Sequence, residues 1–460
     1  MSKLRFWPAL AVTKLATWYL GKTDTRYNDK PGVWGYKIDP DFLEHVAKPE
    51  TTVVVTGTNG KTSITSILSD ILSKNGLKVA SNNWGPNLPQ AEVWAFADGV
   101  SYFNKPTADV AVLEADELTA ESHMPPVKPN YIIISNISRD SMFRNAYPEY
   151  IQSILESAVN MVPESTLILN ADDPLSCYIG KKNRKIFYGV EDQHYKVTDY
   201  ILDDFNVCPK CDHNVKYLYR NYRHIGKFVC PNCGLTNPDI DYLACNVTDK
   251  EVTIKEKNCS YQVALYSAGI HNVYNTVAIV AFLRDYGMSV SEVQKLMSQA
   301  KAPSFREDGE IVGNKKILIR TVKSQNPVGT SVSLESVANE PGDKALIICV
   351  DEDFSDREEP LFDVGTWIYD IQYELLNKDN IKKIIFVGDR CLDHMIRCEL
   401  AGIPKERIEI EREHSNVKNH IDPKADYDIY IMRNNFGLAK VNKFFHEIVD
   451  MVKEVAGNDH

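Results

Sequence analysis

The stretch TTVVVTGTNGKT, residues 51–62, decides the fold of this chain. Its β-branched run Thr52–Thr56 is typical of a buried strand, and the periodic apolar residues of Thr62–Lys74 indicate a helix. Glycines between a strand and a helix let backbone N–H groups turn inward around an anion, where the helix dipole adds positive potential. The stretch therefore predicts a phosphate-binding loop.

The same loop offers side chains to a nucleotide. Lys61, the first predicted catalytic residue, is expected to neutralise the β- and γ-phosphates of ATP, and Thr62 is expected to ligate Mg²⁺. A plain strand-to-helix turn is the alternative, but Gly-Lys-Thr directly after a strand makes it a poor explanation. The predicted nucleotide-binding residues of the loop are Gly57, Thr58, Asn59, Gly60, Lys61 and Thr62.

Short apolar runs alternate with helical patterns after the loop, which predicts an α/β fold with a mostly parallel sheet. A lead-in, residues 1–46, precedes a P-loop central domain, residues 47–310. A second series of runs predicts a smaller, doubly wound Rossmann-like domain over residues 311–460. The predicted strands are Thr52–Thr56, Val110–Leu113, Tyr131–Ser135, Leu167–Asn170, Lys316–Val322, Ala345–Val350, Lys383–Val387 and Tyr427–Met432.

Composition argues against several classes of protein. Of the 460 residues, 43% are hydrophobic and 25% are charged, as in ordinary globular proteins. The net charge of −11 argues against a general nucleic-acid binder, which needs a basic face. No secretory signal is visible, so we expect a cytoplasmic protein that works in the cytoplasm or at the inner membrane surface.

The apolar segment Leu4–Leu20 allows two interpretations. Pro8 and Lys14 interrupt it, so it is too short and too broken to span a bilayer. It could form an amphipathic helix that packs on the body of the protein. It could also make peripheral contact with a membrane through its aromatic side chains, which are Phe6, Trp7, Trp18 and Tyr19.

Residues 203–240 interrupt the α/β alternation and contain two CxxC pairs. Each pair places two thiolates on one side of a tight turn, and two such turns close a tetrahedral site with no open position. The spacing predicts a structural Zn²⁺ in an inserted ribbon. The predicted ligands are Cys208, Cys211, Cys230 and Cys233. His224 lies between the pairs and is a weaker candidate, and a nucleic-acid-binding ribbon fits the acidic chain poorly.

Five motifs follow one another in the order known from the Mur ligase family. They are GTNGKT at 57–62, SNNWGPN at 81–87, EADE at 114–117, LNADDP at 169–174 and GIHNVYN at 269–275. The chain therefore resembles this family of ATP-dependent ligases. The resemblance implies that Glu114 is a catalytic Mg²⁺ ligand beside Thr62. It also implies that His271, Asn272 and Asn275 face the nucleotide, although a purely structural histidine is the alternative for His271.

The ribbon between LNADDP and GIHNVYN is similar to that of the MurT branch of the family. Three C-terminal segments extend this resemblance: NPVG at 326–329, DVGTWIYD at 363–370 and GDRCLD at 388–393. The resemblance implies that ATP phosphorylates the α-carboxylate of D-glutamate in the lipid II stem peptide. Ammonia from a separate, GatD-type glutaminase subunit, expected to form a heterodimer with this chain, would then give D-isoglutamine.

A third predicted catalytic residue is Asp363. The resemblance implies that its carboxylate orients a histidine of the glutaminase subunit. The alternative is that Asp363 caps a helix beginning at Val364, and Asp370 is the second candidate for the orienting role.

The chain departs from the pattern of this branch at several positions. Phe143 replaces an acidic residue, the element around Arg306 is altered, and Arg433–Asn435 replaces another C-terminal element. These departures leave the acceptor open. A stand-alone ligase that joins an amino acid to a carboxylate is one alternative, and a catalytically inactive zinc-ribbon scaffold is another.

Overall fold

The computed structural model describes residues 3–21, 30–83, 87–140, 147–191, 204–257, 259–301, 307–322, 325–350, 365–434 and 438–458. The chain divides into two units. Unit 1 comprises Met1–Ser138 and Tyr147–Pro303, and unit 2 comprises Arg139–Ala146 and Ser304–His460. The short segment after Ser138 therefore belongs to unit 2 although both of its sequence neighbours belong to unit 1.

Unit 1 is built on a nine-stranded sheet. Its strands, together with a separate hairpin of β7 and β8, are β1 (Thr51–Thr56), β2 (Val79–Ser81), β3 (Val110–Glu114), β4 (Tyr131–Ile134), β5 (Thr166–Asn170), β6 (Lys185–Val190), β7 (Lys216–Tyr222), β8 (Ile225–Val229), β9 (Tyr242–Cys245), β10 (Glu251–Glu256) and β11 (Cys259–Ala264). The order in the sheet is β11-β10-β9-β6-β5-β4-β1-β3-β2. Pairing is parallel from β2 through β9, and β10 and β11 extend the sheet in antiparallel fashion.

Nine helices of unit 1 are described. They are α1 (Lys3–Gly21), α2 (Lys30–Ile38), α3 (Phe42–His45), α4 (Lys61–Lys74), α5 (Pro89–Asp98), α6 (Ala120–Val127), α7 (Pro148–Asn160), α8 (Ile270–Asp285) and α9 (Val290–Ser298). Side chains alternate across a strand, so Val53 and Val55 of β1 face the same core, which α4 and α8 cover. Helix α8 is buried along most of its length, which explains its nearly uniform apolar sequence.

Helix α1 packs on α2 and α5 through one face. Phe6, Leu10 and Thr13 of that face are buried. The expected N-terminal helix is present, but it is not amphipathic, because its outward face is apolar as well. Among the described helices none combines the length and apolar character needed to cross a bilayer.

Unit 2 is a doubly wound α/β unit. Its elements are β12 (Glu307–Val312), β13 (Lys315–Thr321), α10 (Pro327–Asn339), β14 (Lys344–Cys349), β15 (Ile381–Val387), α11 (Cys391–Leu400), β16 (Ile408–Glu411), β17 (Asp428–Arg433) and α12 (Leu438–Asn458). The sheet order is β12-β13-β17-β14-β15-β16, with only β12 antiparallel. Helices α10 and α11 cover one face, where Leu346 and Ile348 point, and α12 covers the other, where Ile347 points.

The α/β fold expected from the sequence is confirmed. Each of the eight predicted strands is present, with ends that differ by no more than two residues. The first sheet is mostly parallel but mixed, because the segment between the β7–β8 hairpin and α8 adds the antiparallel strands β10 and β11. These two strands alternate buried and exposed residues, a pattern typical of a sheet with one covered face.

Candidate active site

The phosphate loop runs from the end of β1 to the first turn of α4. Gly57 has φ +111° and Gly60 has φ +90°, a region that side chains with a Cβ rarely adopt. A Cβ on Gly57 would lie 2.6 Å from Ser135 Oγ and 2.7 Å from the carbonyl oxygen of Asn136. The neighbouring strand end therefore leaves room only for glycine at this position.

The segment after β4, residues 135–138, holds the loop in place. Thr58 N donates to the carbonyl of Asn136 at 2.8 Å, and Ser138 N donates to Thr58 Oγ1 at 3.0 Å. Ser135 Oγ and Asn136 Nδ2 both donate to the carbonyl of Asn59, at 2.6 and 2.9 Å. The loop's backbone is thus fixed mainly by partners outside the loop.

Lys61 lies buried at the start of α4, with its ammonium against a carboxylate. Its Nζ is 2.7 Å from Glu117 Oε2, and it also donates to the carbonyls of Gly57 and Thr58. Glu117 is buried too, and its Oε1 has no hydrogen-bond partner among the described residues. The charge of Lys61 is therefore neutralised locally while its ammonium stays within reach of the loop.

Thr62 and Glu114 meet at the carboxyl ends of β1 and β3. Thr62 Oγ1 donates to Glu114 Oε1 at 3.1 Å, and Asn87 Nδ2 donates to the same oxygen at 3.4 Å. Asn82 clamps the Glu114 backbone, donating to its carbonyl at 2.8 Å and accepting from its N–H at 2.7 Å. A hydroxyl and a carboxylate at this edge are oxygen ligands of the kind that Mg²⁺ prefers.

The first two turns of α8 lie beside the loop. Asn275 Oδ1 would lie 2.5 Å from a Cβ on Gly60, so the side chain of Asn275 touches the loop. Tyr266 Oη donates to Asn272 Oδ1 at 2.6 Å, and Asn275 Nδ2 donates to Tyr266 Oη at 3.0 Å. Burial and the charge of Arg223 lower the pKa of His271 to about 4, so its imidazole is neutral at pH 7.

The LNADDP loop joins the sheet to the cysteine module. Asp172 Oδ2 accepts from Val190 N and Tyr274 Oη, each at 2.8 Å, and Gly226 N donates to the Asp172 carbonyl at 2.8 Å. Burial raises the pKa of Asp172 to about 6, although the hydrogen bonds from Val190 and Tyr274 work in the opposite direction. Asp173 accepts from the backbone N–H of Ile137 at 2.8 Å.

The four cysteines of the two CxxC pairs converge. Their sulfur atoms all lie within 4.8 Å of one another, with Cys208 and Cys233 Sγ 3.6 Å apart and Cys211 and Cys230 Sγ 3.5 Å apart. Sulfur ligands at this spacing fit a tetrahedral thiophilic ion. His224 does not join them. It is buried at the tip of the β7–β8 hairpin, where its Nε2 donates to the carbonyl of Ile137 at 2.9 Å.

The C-terminal candidates lie in unit 2. Asp363, Phe143 and Arg306 are outside the described residues. Asp370 Oδ2 lies 3.3 Å from Arg139 Nη1, and Asn326 Nδ2 donates to Asp140 Oδ1 at 3.0 Å.

The sequence thus predicted the loop, Glu114 and the first two turns of α8, and the structure brings these together in unit 1. It did not identify the partners that fix them, which include Asn82, Ser135, Ser138 and Tyr266. It quoted Glu117 within the EADE motif without linking it to Lys61. Each of these residues comes shortly after the end of a strand, which is where sheets of this kind place ligand-binding groups. That position was the sequence signal that could have identified them.

We predict one tightly bound thiophilic metal ion per chain. Cys208→Ser removes one of four ligands and should release the ion and unfold the hairpin, because metal binding contributes folding energy to such modules. Elemental analysis of freshly purified protein measures the metal content per chain. Cys259→Ser, at an exposed cysteine outside the cluster, is the matched control and should keep the ion. Wild-type protein without a stoichiometric metal would contradict the prediction.

The chain matches two family models. They are the Mur ligase middle domain, over residues 55–283, and MurT ligase C-terminal, over residues 323–435. Relatives named lipid II isoglutaminyl synthase (glutamine-hydrolyzing) subunit MurT include those of Streptococcus pneumoniae (strain ATCC BAA-255 / R6) and Staphylococcus aureus (strain COL). The first is 28% identical, covering 82% of this chain and 83% of the relative. The second is 26% identical, covering 87% of this chain and 89% of the relative.

A solved structure shows the same fold. A pseudomurein peptide ligase type C from Methanothermus fervidus matches with a TM-score of 0.66 at 19% identity, covering 93% of this chain and 85% of that one. The middle-domain match spans the phosphate loop, Glu114 and most of α8, and the C-terminal match lies in unit 2. This chain therefore belongs to the Mur ligase family, in its MurT branch.

Proposed function

We propose that this chain is the synthetase subunit of an enzyme that amidates the D-glutamate α-carboxylate of the lipid II stem peptide. The observation that carries the proposal is the meeting of Lys61, Thr62 and Glu114 at one edge of a Mur ligase sheet. The relatives that match most of the chain are named subunits of a lipid II isoglutaminyl synthase. Geometry supports the nucleotide chemistry, and the relatives support the choice of acceptor.

The proposed reaction has two steps. A carboxylate oxygen of the acceptor attacks the γ-phosphorus of ATP, the bond to the ADP oxygen breaks, and an acyl phosphate forms. Ammonia then attacks the acyl carbon, the carbon–oxygen bond to phosphate breaks, and a proton leaves the nitrogen. The chain contributes positioning and electrostatic stabilisation, which are the main sources of rate in phosphoryl transfer.

Lys61 would meet the charge that develops on the transferred phosphoryl group. Its ammonium is already held 2.7 Å from Glu117, so its desolvation cost is offset before the nucleotide binds. Mg²⁺ held by Thr62 and Glu114 would neutralise the β- and γ-phosphate oxygens. The neutral imidazole of His271 and the amides of Asn272 and Asn275 would line the nucleotide side of the loop.

The cysteine cluster would hold a Zn²⁺ ion with a structural role, not a catalytic one. Four thiolates complete a tetrahedral shell and leave no position for water or substrate. The ion's contribution would be the folding of the hairpin.

The ammonia would come from a GatD-type glutaminase subunit. The chain contains no recognisable nucleophile-elbow cysteine with its histidine, and the relatives are named as subunits of a glutamine-hydrolyzing enzyme. Passing ammonia directly between subunits would keep it unprotonated until it reaches the acyl phosphate.

Replacing Lys61 tests the phosphate-loop assignment. Lys61→Ala removes the charge that meets the transferred phosphoryl group, so ATP-dependent amidation should fall by about a hundredfold or more while the fold survives. Lys74→Ala, at the exposed C-terminal end of the same helix, removes an equal charge and should leave turnover unchanged. Circular dichroism checks folding. Undiminished ATP consumption by folded Lys61→Ala protein would contradict the assignment.

Asp363 is proposed to orient the catalytic histidine of the glutaminase subunit. Such a histidine works best as a base when a carboxylate fixes its tautomer. Asp363→Asn should therefore strongly reduce the rate of glutamine hydrolysis by the complex, while amidation from added ammonia continues. Asp370→Asn is the control, because Asp370 already pairs with Arg139, and it should leave glutamine hydrolysis intact.

If Asp363 only caps a helix, both activities of Asp363→Asn should persist, with a stability loss of about 1 kcal/mol at most. Loss of glutamine hydrolysis in Asp370→Asn alone would transfer the orienting role to Asp370.

We also propose peripheral contact between α1 and the membrane that carries lipid II. The outward face of α1 exposes Trp7, Trp18 and Tyr19 by 51%, 60% and 62%, with Leu4 and Leu15 along the same stripe. Helices α1 and α2 contain five Lys or Arg residues and no Asp or Glu, although the whole chain is acidic. Apolar rings among basic side chains suit an anionic lipid surface.

Removing the rings tests this contact. Trp7→Ala combined with Trp18→Ala should abolish co-sedimentation with phosphatidylglycerol vesicles, because the apolar area that enters the interface is lost. Tyr150→Ala removes an exposed ring of α7, a helix that packs on α6, and should bind like the wild type. The proposal would be contradicted if the double variant co-sedimented with the vesicles as well as the wild type does. It would also be contradicted if binding of the wild type did not depend on anionic lipid.

A further inference from the structure

The tip of the β7–β8 hairpin reaches from the cysteine module to the segment that holds the phosphate loop. We infer that His224, at this tip, is a positioning residue for the loop, so that the metal-bound module helps set nucleotide affinity. The inference rests on the proposed function, because it assigns the module a part in nucleotide binding.

The first contact in this path is between His224 and Ile137. His224 is buried, and its Nε2–H donates to the Ile137 carbonyl at 2.9 Å. The N–H of Ile137 donates to Asp173 Oδ2 at 2.8 Å, and Asp173 Oδ1 lies 3.5 Å from the same imidazole nitrogen. Both backbone polar groups of Ile137 are therefore fixed by residues outside the segment 135–138.

The residues on either side of Ile137 form hydrogen bonds with the phosphate loop. The Asn136 carbonyl accepts from Thr58 N, and the Ser138 carbonyl accepts from Thr58 Oγ1 at 3.0 Å. Ser138 Oγ accepts from Asn59 Nδ2 at 3.0 Å. A rotation of the Ile137 peptide would displace these partners, so the orientation of Thr58 and Asn59 depends on it.

The hairpin tip is itself held firmly. Arg223 has φ +47°, which is uncommon for a residue with a side chain and costs backbone energy. Asn221 Nδ2 donates to the Val190 carbonyl at 3.1 Å and to Tyr274 Oη at 2.9 Å. The ring of Tyr222 lies 4.1 Å from that of His271, on the helix that flanks the loop. The tip thus presents His224 in one fixed orientation.

The opposite end of the hairpin is closed by the cysteines. Cys211 precedes β7 by five residues, and Cys230 directly follows β8. Fixing the four sulfur atoms joins the ends of both strands, so a bound ion would restrain the hairpin on which His224 sits. This gives the module a role in the active site that does not require the metal to touch substrate.

The test compares three substitutions of His224. Gln places an amide N–H near the position of the histidine Nε2, whereas Asn keeps an amide but is too short, and Ala removes the donor. We expect the dissociation constant for Mg-ADP, measured by titration calorimetry on the full chain, to rise about tenfold in Ala and Asn. Gln should restore it to within about threefold of wild type. Lys216→Ala, an exposed change at the far end of the hairpin, should have no effect.

The outcomes separate this inference from the function it rests on. A wild-type chain that fails to bind Mg-ADP would overturn both. A wild-type chain that binds, with Ala and Asn binding equally well, would overturn the inference alone. If Ala does not fold, the difference between Gln and Asn decides, because both are polar and only Gln reaches the Ile137 carbonyl. Equal weakening in Gln and Asn would overturn the inference.

Discussion

The site depends on one constraint: a phosphate loop must be held in place by partners outside the loop. In this chain the N–H and hydroxyl of Thr58 and the carbonyl and side-chain amide of Asn59 bond to residues 135–138, which follow β4. Parallel pairing of β1 with β4 puts the two strand ends side by side, which makes these bonds geometrically available. The required closeness also explains why Gly57 cannot carry a side chain.

Charge is organised around the same edge of the sheet. Lys61 and Glu117 are both buried, and neither would remain charged there at low cost without the other. Their pairing keeps an ammonium near the loop, while Glu114 is held apart from it by Asn82, Asn87 and Thr62. Two carboxylates of one short motif thus have separate tasks, one balancing the lysine and one facing the position expected for Mg²⁺.

Local patterns predicted much of this arrangement, and long-range contacts supplied the rest. The strand Thr51–Thr56 and the glycines after it are visible because their periodicity and backbone requirements are local. The Lys61–Glu117 pair joins residues 56 positions apart, and the His224–Ile137 contact joins residues 87 apart. Spacing along a chain does not determine such distances, because they depend on strand order. Of the four aromatic residues expected at a membrane surface, Trp7, Trp18 and Tyr19 are exposed but Phe6 is buried, because a sequence pattern does not show which of two apolar faces is covered.

The central claim is that this chain activates a carboxylate as an acyl phosphate before ammonia arrives. The most direct measurement uses lipid II labelled with ¹⁸O in the α-carboxylate of D-glutamate, turned over with ATP by the chain and a GatD-type glutaminase. The account predicts that the label appears in inorganic phosphate in step with amide formation, because the carboxylate oxygen leaves with the phosphoryl group. Amide formation that leaves the phosphate unlabelled would contradict it.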